Sequence, residues 1–282
     1  MARPPSLPEA RRRYAEELRV VGHVHDQRVV DAFAAVPRER FVGPGPWRIL
    51  HMAEGYWTTP DTDPRWLYHN VLVALDESRG LNTGEPSLWA YHFDRIVIRD
   101  GDSVLQIGAG TGYFTAILAE LVGKAGHVLA LEVDRALADQ ARSNLAAWPQ
   151  ASIRKVDGVV PVDGVWNVVI AFAGSTAPHK AWVDALADGG RAFIPLTGAE
   201  RGGLLLRLDR RGEAIAARSA GWIGIFPCAG GRTDAEAEAI SRAMGDVAGQ
   251  RALKSLRRDT HDADESCWLH GDGWCLSKRD LH

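Results

Sequence analysis

A glycine-rich turn between a buried strand and a helix constrains this sequence more than any other feature. Residues 104–107 (Val-Leu-Gln-Ile) have the composition of a buried strand, and residues 114–122 are compatible with a helix. Between them, Gly108, Gly110 and Gly112 occupy every second position. Glycine lets the backbone turn sharply and lets a ligand lie against it without meeting a Cβ. The pattern predicts a strand–turn–helix unit that binds a ligand, or else a glycine turn without one.

An acidic residue after the next strand supports the ligand-binding interpretation. Residues 126–131 form a second apolar segment, and Glu132 follows it, about twenty residues past the glycines. An acidic residue at this position hydrogen-bonds a ribose diol in nucleotide-binding βαβ units. In the dinucleotide fingerprint two residues separate the second glycine from the third, whereas here only Thr111 separates Gly110 from Gly112. S-adenosylmethionine (SAM) has no pyrophosphate and suits this spacing. We predict SAM, with a nicotinamide or flavin as the alternative.

Strand and helix patterns alternate after residue 100, which predicts an α/β fold with a doubly wound, mostly parallel sheet and additions at both ends. The predicted strands are 103–107, 127–131, 152–156, 166–172, 191–196 and 203–210, and the predicted helices are 112–122, 134–146, 178–187 and about 234–249. Asp188-Gly189-Gly190 is predicted to end the helix over 178–187 as a glycine cap. We expect three regions: 1–90, helical and irregular, with the substrate loop; 91–211, the SAM-binding core; and 212–282, an extension that caps the active site.

The composition excludes several functional classes. Basic and acidic residues number 33 and 36, so no bulk attraction to nucleic acid or to an anionic membrane is expected. No apolar run is long enough to span a membrane, and the N-terminal residues lack the apolar core of a secretion signal. Three cysteines are few and odd in number, as in proteins with reduced thiols. We expect a cytoplasmic protein.

Three stretches together resemble the protein-L-isoaspartate O-methyltransferases, a SAM-dependent family. They are residues 30–42, residues 104–118, and the short motifs at 156–158, 188–191 and 194–196. The resemblance covers residues 27–210 and implies the Rossmann-like fold of class I SAM methyltransferases. It also implies a methyltransferase (EC 2.1.1) that methylates a carboxylate, aspartate- or isoaspartate-like, on a modified peptide or protein. One alternative is a small-molecule O- or N-methyltransferase of secondary metabolism. Another is a SAM-binding protein without catalysis.

The resemblance also implies roles for individual residues. The glycines would pack against the methionine part of SAM, Glu132 would bind its ribose, and Asp157 would face its adenine. The implied cofactor-binding set is Gly108, Ala109, Gly110, Thr111, Gly112, Tyr113, Glu132, Val133, Asp157 and Gly158. Without a cofactor, Glu132 would be an exposed strand-end carboxylate and Asp157 a turn residue.

The substrate loop departs from the family pattern. The family reads Thr-(Ile/Val/Leu)-Ser-(Gln/Ala)-Pro, with the serine beside the methyl-accepting carboxylate, whereas residues 82–86 here read Asn-Thr-Gly-Glu-Pro. We expect Thr83 and Gly84 to line the acceptor site, and ordinary isoaspartyl peptides to be poor substrates. A hydroxyl or amine acceptor would need a general base, for which His69, His92 and His179 are candidates.

The C-terminal segment is dense in charged, aromatic and sulfur-containing residues. We expect Arg257, Arg258 and His261 to hold an anionic group of the acceptor beneath an aromatic cap, the alternative being ordinary surface charge with core tryptophans. His261, Cys267, His270 and Cys275 are all plausible zinc ligands. Because their spacing fits no zinc finger and contains no C-x-x-C, the sequence predicts no metal.

Overall fold

The computed structural model describes residues 4–280 and divides them between two compact units. The first holds residues up to Gly101 together with Ala109–Val128 and Asp134–Ile153; the second holds Asp102–Gly108, Leu129–Val133 and the chain from Arg154 onward. Residues 1–3 and 281–282, which belong to the predicted terminal regions, lie outside the described residues. Within the described chain, no helix has both the length and the apolar character needed to cross a bilayer.

The helices and strands are numbered in chain order. The α-helices are α1 (Leu7–Val21), α2 (Gln27–Ala35), α3 (Pro86–Ile96), α4 (Tyr113–Val122), α5 (Arg135–Asn144), α6 (Lys180–Asp184), α7 (Asp234–Ala243) and α8 (Val247–Arg251). Short 3-10 turns span Arg38–Phe41, Pro64–Leu67 and Glu77–Arg79. The strands are β1 (Arg48–His51), β2 (Gly55–Thr58), β3 (Ala74–Asp76), β4 (Leu81–Asn82), β5 (Ser103–Ile107), β6 (His127–Glu132), β7 (Ala151–Lys155), β8 (Trp166–Ala171), β9 (Leu186–Thr197), β10 (Gly202–Arg211), β11 (Ala214–Gly224), β12 (Ser255–Arg257), β13 (Cys267–Gly271) and β14 (Trp274–Ser277).

The first unit is built on α1–α4 and two small antiparallel sheets, β1–β2 and β3–β4. Helix α1 begins at a capping box in which Ser6 and Glu9 satisfy each other's backbone N–H groups. Its buried face carries Tyr14, whose ring meets Phe33 of α2 edge-on at a centroid distance of 6.4 Å. Aromatic packing of this kind stabilises the helical layer through buried apolar area. The predicted substrate loop follows β4 in this unit.

The large sheet has the strand order β13-β14-β12-β11-β10-β9-β8-β5-β6-β7. Its residues belong to the second unit, apart from the start of β6 and residues 151–153 of β7. β8 pairs in parallel with β5 and β9, whereas β9 through β14 pair antiparallel. The α/β class predicted from the alternation of patterns is confirmed. The Arg191 guanidinium in β9 forms a buried ion pair with Asp102, just before β5, at 2.5 Å.

Two helix predictions were wrong in their bounds. Helix α6 stops at Asp184 and β9 begins at Leu186, so Gly189, with φ +71°, lies inside a strand instead of capping a helix. Trp166 pairs with Leu186 but Val168 pairs with Arg191, which leaves the glycines in an irregularity of β9. The helix predicted over about 234–249 is two helices, because Asp246 caps a new one with a side-chain bond to the N–H of Gly249.

The compact units do not follow the predicted regional bounds. Helix α3 continues across the boundary at residues 90 and 91, and β10 and β11 form one hairpin across residue 211. β12 and β14 then extend the same sheet, with Leu256 and Leu276 buried in its core. That residues 212–282 cap the active site stays a prediction.

Candidate functional site

The predicted glycine turn has the backbone of a ligand-binding loop. Gly108, Gly110 and Gly112 have φ of +83°, +54° and +93°, a region that L-residues with side chains rarely adopt. A Cβ added at Gly110 would meet no atom within 4 Å, so this stretch of backbone is open. A Cβ on Gly112 would approach the Leu145 side chain at 3.1 Å, which ties the third glycine to helix packing.

Glu132 ends β6 next to this turn. Its side chain is buried, with only 7% of the residue exposed. The neighbouring backbone is fixed on both sides: the N–H of Gly108 donates to the carbonyl of Leu131 at 2.9 Å, and the N–H of Val156 donates to the carbonyl of Glu132 at 3.0 Å. The alternative of an exposed strand-end carboxylate is therefore wrong.

Asp157 and Gly158 follow β7 in a tight turn. An Asp157 carboxylate oxygen accepts from the N–H of Val159 at 3.1 Å, as expected of a turn residue. Its other oxygen lies 2.4 Å from where a Cβ on Gly230 would sit, so only glycine lets the 230 backbone approach the carboxylate. The carbonyl of Gly158 accepts from the buried indole N–H of Trp182 at 2.7 Å. The turn is held by the packed interior of the second unit.

Cys228 lies beside these carboxylates. Burial raises the pKa of its thiol to about 11, and the negative charges of Asp157 and Glu132 add to this effect against the opposing charge of Arg232. The charges of both predicted cofactor carboxylates thus raise the pKa of one buried thiol. Sequence reasoning missed Cys228 and Gly230, which lie some seventy residues after Asp157, and only the run of small residues around them offers a sequence signal.

The other predicted cofactor residues fall into different surroundings. Tyr113 is 3% exposed, and its hydroxyl lies 3.2 Å from that of Tyr14, so its side chain belongs to the aromatic core of the first unit. The carbonyl of Thr111 accepts from the Asn144 amide at 2.9 Å, and Ala109 is buried. Val133 is 44% exposed. Their contribution to a ligand site is therefore through the backbone or, for Val133, through an accessible apolar surface.

These residues fit SAM. In the second unit, Gly108 begins the turn with φ +83°, and Glu132 ends β6 with a buried carboxylate. An ionised carboxylate has several acceptor sites, which suits the two hydroxyl donors of a ribose diol. The Asp157 carboxylate accepts from the backbone of its own turn through one oxygen, and a carboxylate has further acceptor capacity for an exocyclic amine.

The predicted acceptor loop has a defined hydrogen-bonding pattern in the first unit. The N–H of Thr83 donates to the carbonyl of Val73 at 2.9 Å, and its hydroxyl accepts from the N–H of the same residue at 3.1 Å. Gly84 has φ +74°, and its N–H donates to the Asn82 side chain at 2.9 Å. A Cβ at Gly84 would lie 3.3 Å from the Phe114 ring. Glycine at 84 is thus demanded by backbone conformation and tight packing together.

The acid that follows Gly84 is engaged in local hydrogen bonds. A Glu85 oxygen accepts from the Asn70 amide at 3.1 Å and from the Ser87 hydroxyl at 2.8 Å, at the start of α3. Negative charge is favourable at a helix N-terminus. Asn70 in turn accepts from the N–H of Ser87 at 2.9 Å. Glu85 therefore organises the start of the helix.

Arg38, which sequence reasoning did not single out, holds the acceptor loop. It is fully buried, and its guanidinium donates to the carbonyls of Leu67 at 2.8 Å and His69 at 3.0 Å, to that of Val71, and to the Thr83 hydroxyl at 3.2 Å. These bonds satisfy both terminal nitrogens of the buried guanidinium, whereas its Nε has no hydrogen-bond partner among the described residues. The sequence signal for Arg38 was its position within residues 30–42, one of the stretches that resemble the family.

None of the three histidines considered as bases has the surroundings of an obvious one. His92 is 3% exposed, and burial lowers its pKa to about 4, so it is neutral at pH 7. The His179 ring lies 3.1 Å from the carbonyl of Gly231. His69 is largely exposed, 3.9 Å from Glu17.

Arg257 and His261 lie away from the predicted cofactor residues of their own unit. Arg257 belongs to β12, five strands from β5 in the sheet order, which corresponds to about 24 Å at the usual strand spacing. It pairs with Asp259 at 2.6 Å, and the His261 ring also faces Asp259 at 3.3 Å. The neighbouring Arg258 pairs with Asp184 at 2.6 Å. Since these charges are engaged far along the sheet, the proposed site does not include Arg257 or His261.

Sequence comparisons give one consistent result. Residues 64–225 match the family model described as protein-L-isoaspartate(D-aspartate) O-methyltransferase (PCMT). The protein-L-isoaspartate O-methyltransferase of Methylorubrum extorquens (strain PA1) is 34% identical over 231 residues, covering 79% of this chain and 90% of the relative. That of Rhodopseudomonas palustris (strain ATCC BAA-98 / CGA009) is 31% identical, covering 68% and 79%.

Solved structures show the same fold. A protein-L-isoaspartate O-methyltransferase superposes with a TM-score of 0.65 at 19% identity, covering 88% of this chain and 72% of that one. A putative enzyme of this name from Plasmodium falciparum, in complex with S-adenosyl-L-homocysteine, gives a TM-score of 0.62 at 17% identity and covers 77% and 97%.

Proposed function

Because the chain belongs to the protein-L-isoaspartate(D-aspartate) O-methyltransferase family, we propose that it transfers the methyl group of SAM to an aspartyl-type carboxylate of a peptide or protein. The observation that carries this proposal is the buried carboxylate of Glu132 at the end of β6, where the carbonyl of Leu131 accepts from the N–H of Gly108, the first glycine of the turn. It supports a SAM-dependent enzyme, as the family implies. We further propose that it acts in the cytoplasm, which its three free cysteines support.

The chain's own residues bind and orient the cofactor. When bound, SAM would supply a methyl group on a positively charged sulfur; an ionised carboxylate oxygen of the acceptor would take the methyl group as its bond to sulfur breaks, with neutral S-adenosyl-L-homocysteine as the leaving group. In the proposed site Gly108–Gly112 would hold the methionine part, Glu132 would accept from the ribose hydroxyls, and Asp157 would accept from the adenine amine. Burial of Glu132 strengthens such bonds, because few waters compete there.

A carboxylate acceptor needs no general base, so the enzyme's part is alignment and exclusion of water. Of the three histidines considered as bases, His179 lies against the carbonyl of Gly231 and His69 is largely exposed. His92, buried and with a pKa lowered to about 4, is a poor proton acceptor at neutral pH. A carboxylate acceptor, which needs no general base, therefore agrees better with these surroundings than a hydroxyl or amine acceptor.

The loop at residues 82–86 supports a substrate that differs from ordinary isoaspartyl peptides. Arg38 and the Val73 backbone fix Thr83. At Gly84 the positive φ makes any residue with an L-side chain unfavourable. The serine hydroxyl of the resembling family therefore has no equivalent here. We propose that this enzyme accepts an aspartyl unit in a modified peptide.

The test is methyl transfer from SAM with a labelled methyl group to peptides that contain aspartyl, D-aspartyl or isoaspartyl residues, linear and cyclised. Carboxyl methyl esters hydrolyse in alkali and release methanol, whereas N-methyl groups and aryl or alkyl ethers do not. We expect alkali-labile label on at least one peptide. Label that is stable to alkali, or label found only on small amines and phenols, would contradict the proposal and favour the small-molecule alternative.

A further inference from the structure

Four potential metal ligands converge at the C-terminal edge of the large sheet. They are His261, Cys267, His270 and Cys275. One ligand atom from each residue, a ring nitrogen or a sulfur, lies within 4.8 Å of the other three. The proposed methyl transfer uses none of these contacts. Convergence of two thiols and two imidazoles on one point is therefore a feature that needs its own explanation.

The register of the terminal hairpin produces this arrangement. Cys267 and His270 both belong to β13 and are three residues apart, so simple strand alternation would place them on opposite faces. A register shift between Cys267 and Leu269 adds one residue to β13. His270 consequently pairs with Cys275 of β14, and Cys267 pairs with the residue two further along, which puts all three side chains on one face.

The two sulfur–nitrogen distances at Cys267 are those of a tetrahedral metal site. The Cys267 sulfur lies 3.6 Å from Nε2 of His261 and 3.8 Å from Nδ1 of His270. Zinc–sulfur bonds of about 2.3 Å and zinc–nitrogen bonds of about 2.0–2.1 Å at the tetrahedral angle separate a sulfur from a nitrogen by about 3.6 Å. A single ion at the centre of the four atoms would thus need little movement of the side chains.

The outer hydrogen bonds of His261 are those of a metal ligand. Its Nδ1 lies 3.0 Å from the backbone carbonyl of Asp259 and 3.3 Å from the carboxylate of the same residue. Nδ1 therefore carries the proton, which leaves the lone pair of Nε2 directed towards Cys267. Arg257 holds the Asp259 carboxylate with two bonds of 3.1 and 2.6 Å. This carboxylate–histidine arrangement fixes the ring in the orientation that binds a metal.

A closed metal site would also stabilise the segment that it joins. Residues 258–264 connect β12 to β13 without regular secondary structure. A metal bound by His261 on this segment and by Cys275 on β14 would close the loop and reduce the conformational freedom of the unfolded chain. A disulfide between the cysteines would leave the converging imidazoles unexplained.

We propose that His261, Cys267, His270 and Cys275 bind one zinc ion in a structural site. Two thiolates and two imidazoles in a tetrahedral arrangement select zinc among the common divalent metals. Four protein ligands leave no coordination position for water or substrate, so the ion stabilises the C-terminal hairpin and takes no part in methyl transfer. The prediction from sequence spacing that no metal binds overlooked the register shift in β13.

Metal content and coordination test this site in the full-length protein. The protein is produced with zinc in the medium and a tag free of histidine, and its metals are quantified by mass spectrometry after dialysis. We expect about one zinc ion per chain, bound with about nanomolar affinity or tighter. Cobalt(II) added to the metal-free protein should give the intense visible bands of tetrahedral coordination and the ultraviolet thiolate-to-cobalt charge-transfer band.

Matched variants locate the ion. Cys267→Ser and His261→Gln should each lower the zinc content at least tenfold, whereas Cys228→Ser and His127→Gln, at a cysteine and a histidine outside the cluster, should retain it. If a cluster variant fails to fold, the cobalt spectrum of the wild type still shows whether thiolates bind the metal in a tetrahedral site. Wild-type protein that holds less than about a tenth of a zinc ion per chain, a cobalt spectrum without a thiolate band, or a Cys267–Cys275 disulfide in protein from reducing cells would overturn the proposal.

Discussion

Gly84 offers a direct test of the acceptor-loop geometry. In Gly84→Ser, an L-residue must adopt φ +74°, which costs about 1–2 kcal/mol, and its Cβ must lie 3.3 Å from Phe114 and 3.5 Å from Trp89, which adds a few tenths. We expect the free energy of unfolding to fall by about 1–2 kcal/mol. Because this backbone aims the Cβ at the two rings, the new hydroxyl cannot stand in for the family's serine.

The assay combines denaturant unfolding with turnover on an isoaspartyl peptide. Gly43→Ala is the matched control, since Gly43 has φ +69° and open space where the alanine Cβ would lie. Its loss of stability therefore measures the cost of the positive φ without any packing contact. Gly84→Ala should be less stable than Gly43→Ala by the cost of the Phe114 contact. A serine variant as stable as the wild type, with turnover gained on the isoaspartyl peptide, would refute the reasoning and show that only the hydroxyl was missing.

Three further predictions concern buried groups. Arg38→Leu should lower the free energy of unfolding by about 3 kcal/mol, because three carbonyls lose a buried donor; denaturant unfolding checks this, and a loss under 1 kcal/mol would contradict it. Asp102→Ala should cost about 3 kcal/mol by the same measurement, because it removes the ion-pair partner of buried Arg191, while an unchanged midpoint would show the pair to be dispensable. The pKa of His92, lowered from 6.5 to about 4 by burial, makes protonation unfavourable in the folded state, so stability is full above pH 6.5 and declines as the pH falls towards 4. Between pH 7 and pH 5 the wild type should lose about 2 kcal/mol more than His92→Leu, and equal losses would contradict the pKa shift.

The cofactor half of the fold was predictable because its signals are local. A strand that runs into alternating glycines, and a second strand that ends in Glu132, each encode their geometry within a few residues. The same holds for α4 and β5, whose bounds agree with the predicted ones to within one residue. The family resemblance indicated that Gly84 stands where a serine is expected, whereas its positive φ became visible only in the structure.

The remaining features depend on contacts between distant residues. Gly189 looked like a helix cap because a cap and a strand irregularity both use a glycine with positive φ, and only the pairing of β9 with β8 separates them. Cys228 reaches the carboxylate of Asp157 through the fold of a long intervening segment. The convergence of His261 with Cys275 depends on strand register, which residue spacing does not report.

Calorimetric titration with S-adenosyl-L-homocysteine, the demethylated form of SAM, tests the central claim most directly. The wild type should bind, and Glu132→Ala should bind about 10- to 150-fold more weakly, which corresponds to about 1.5–3 kcal/mol for the lost bonds to a buried carboxylate. Glu238→Ala, which removes an exposed glutamate from α7, should bind like the wild type. Equal affinity in the Glu132 variant, or tight binding of NADH with no binding of S-adenosyl-L-homocysteine, would contradict the account.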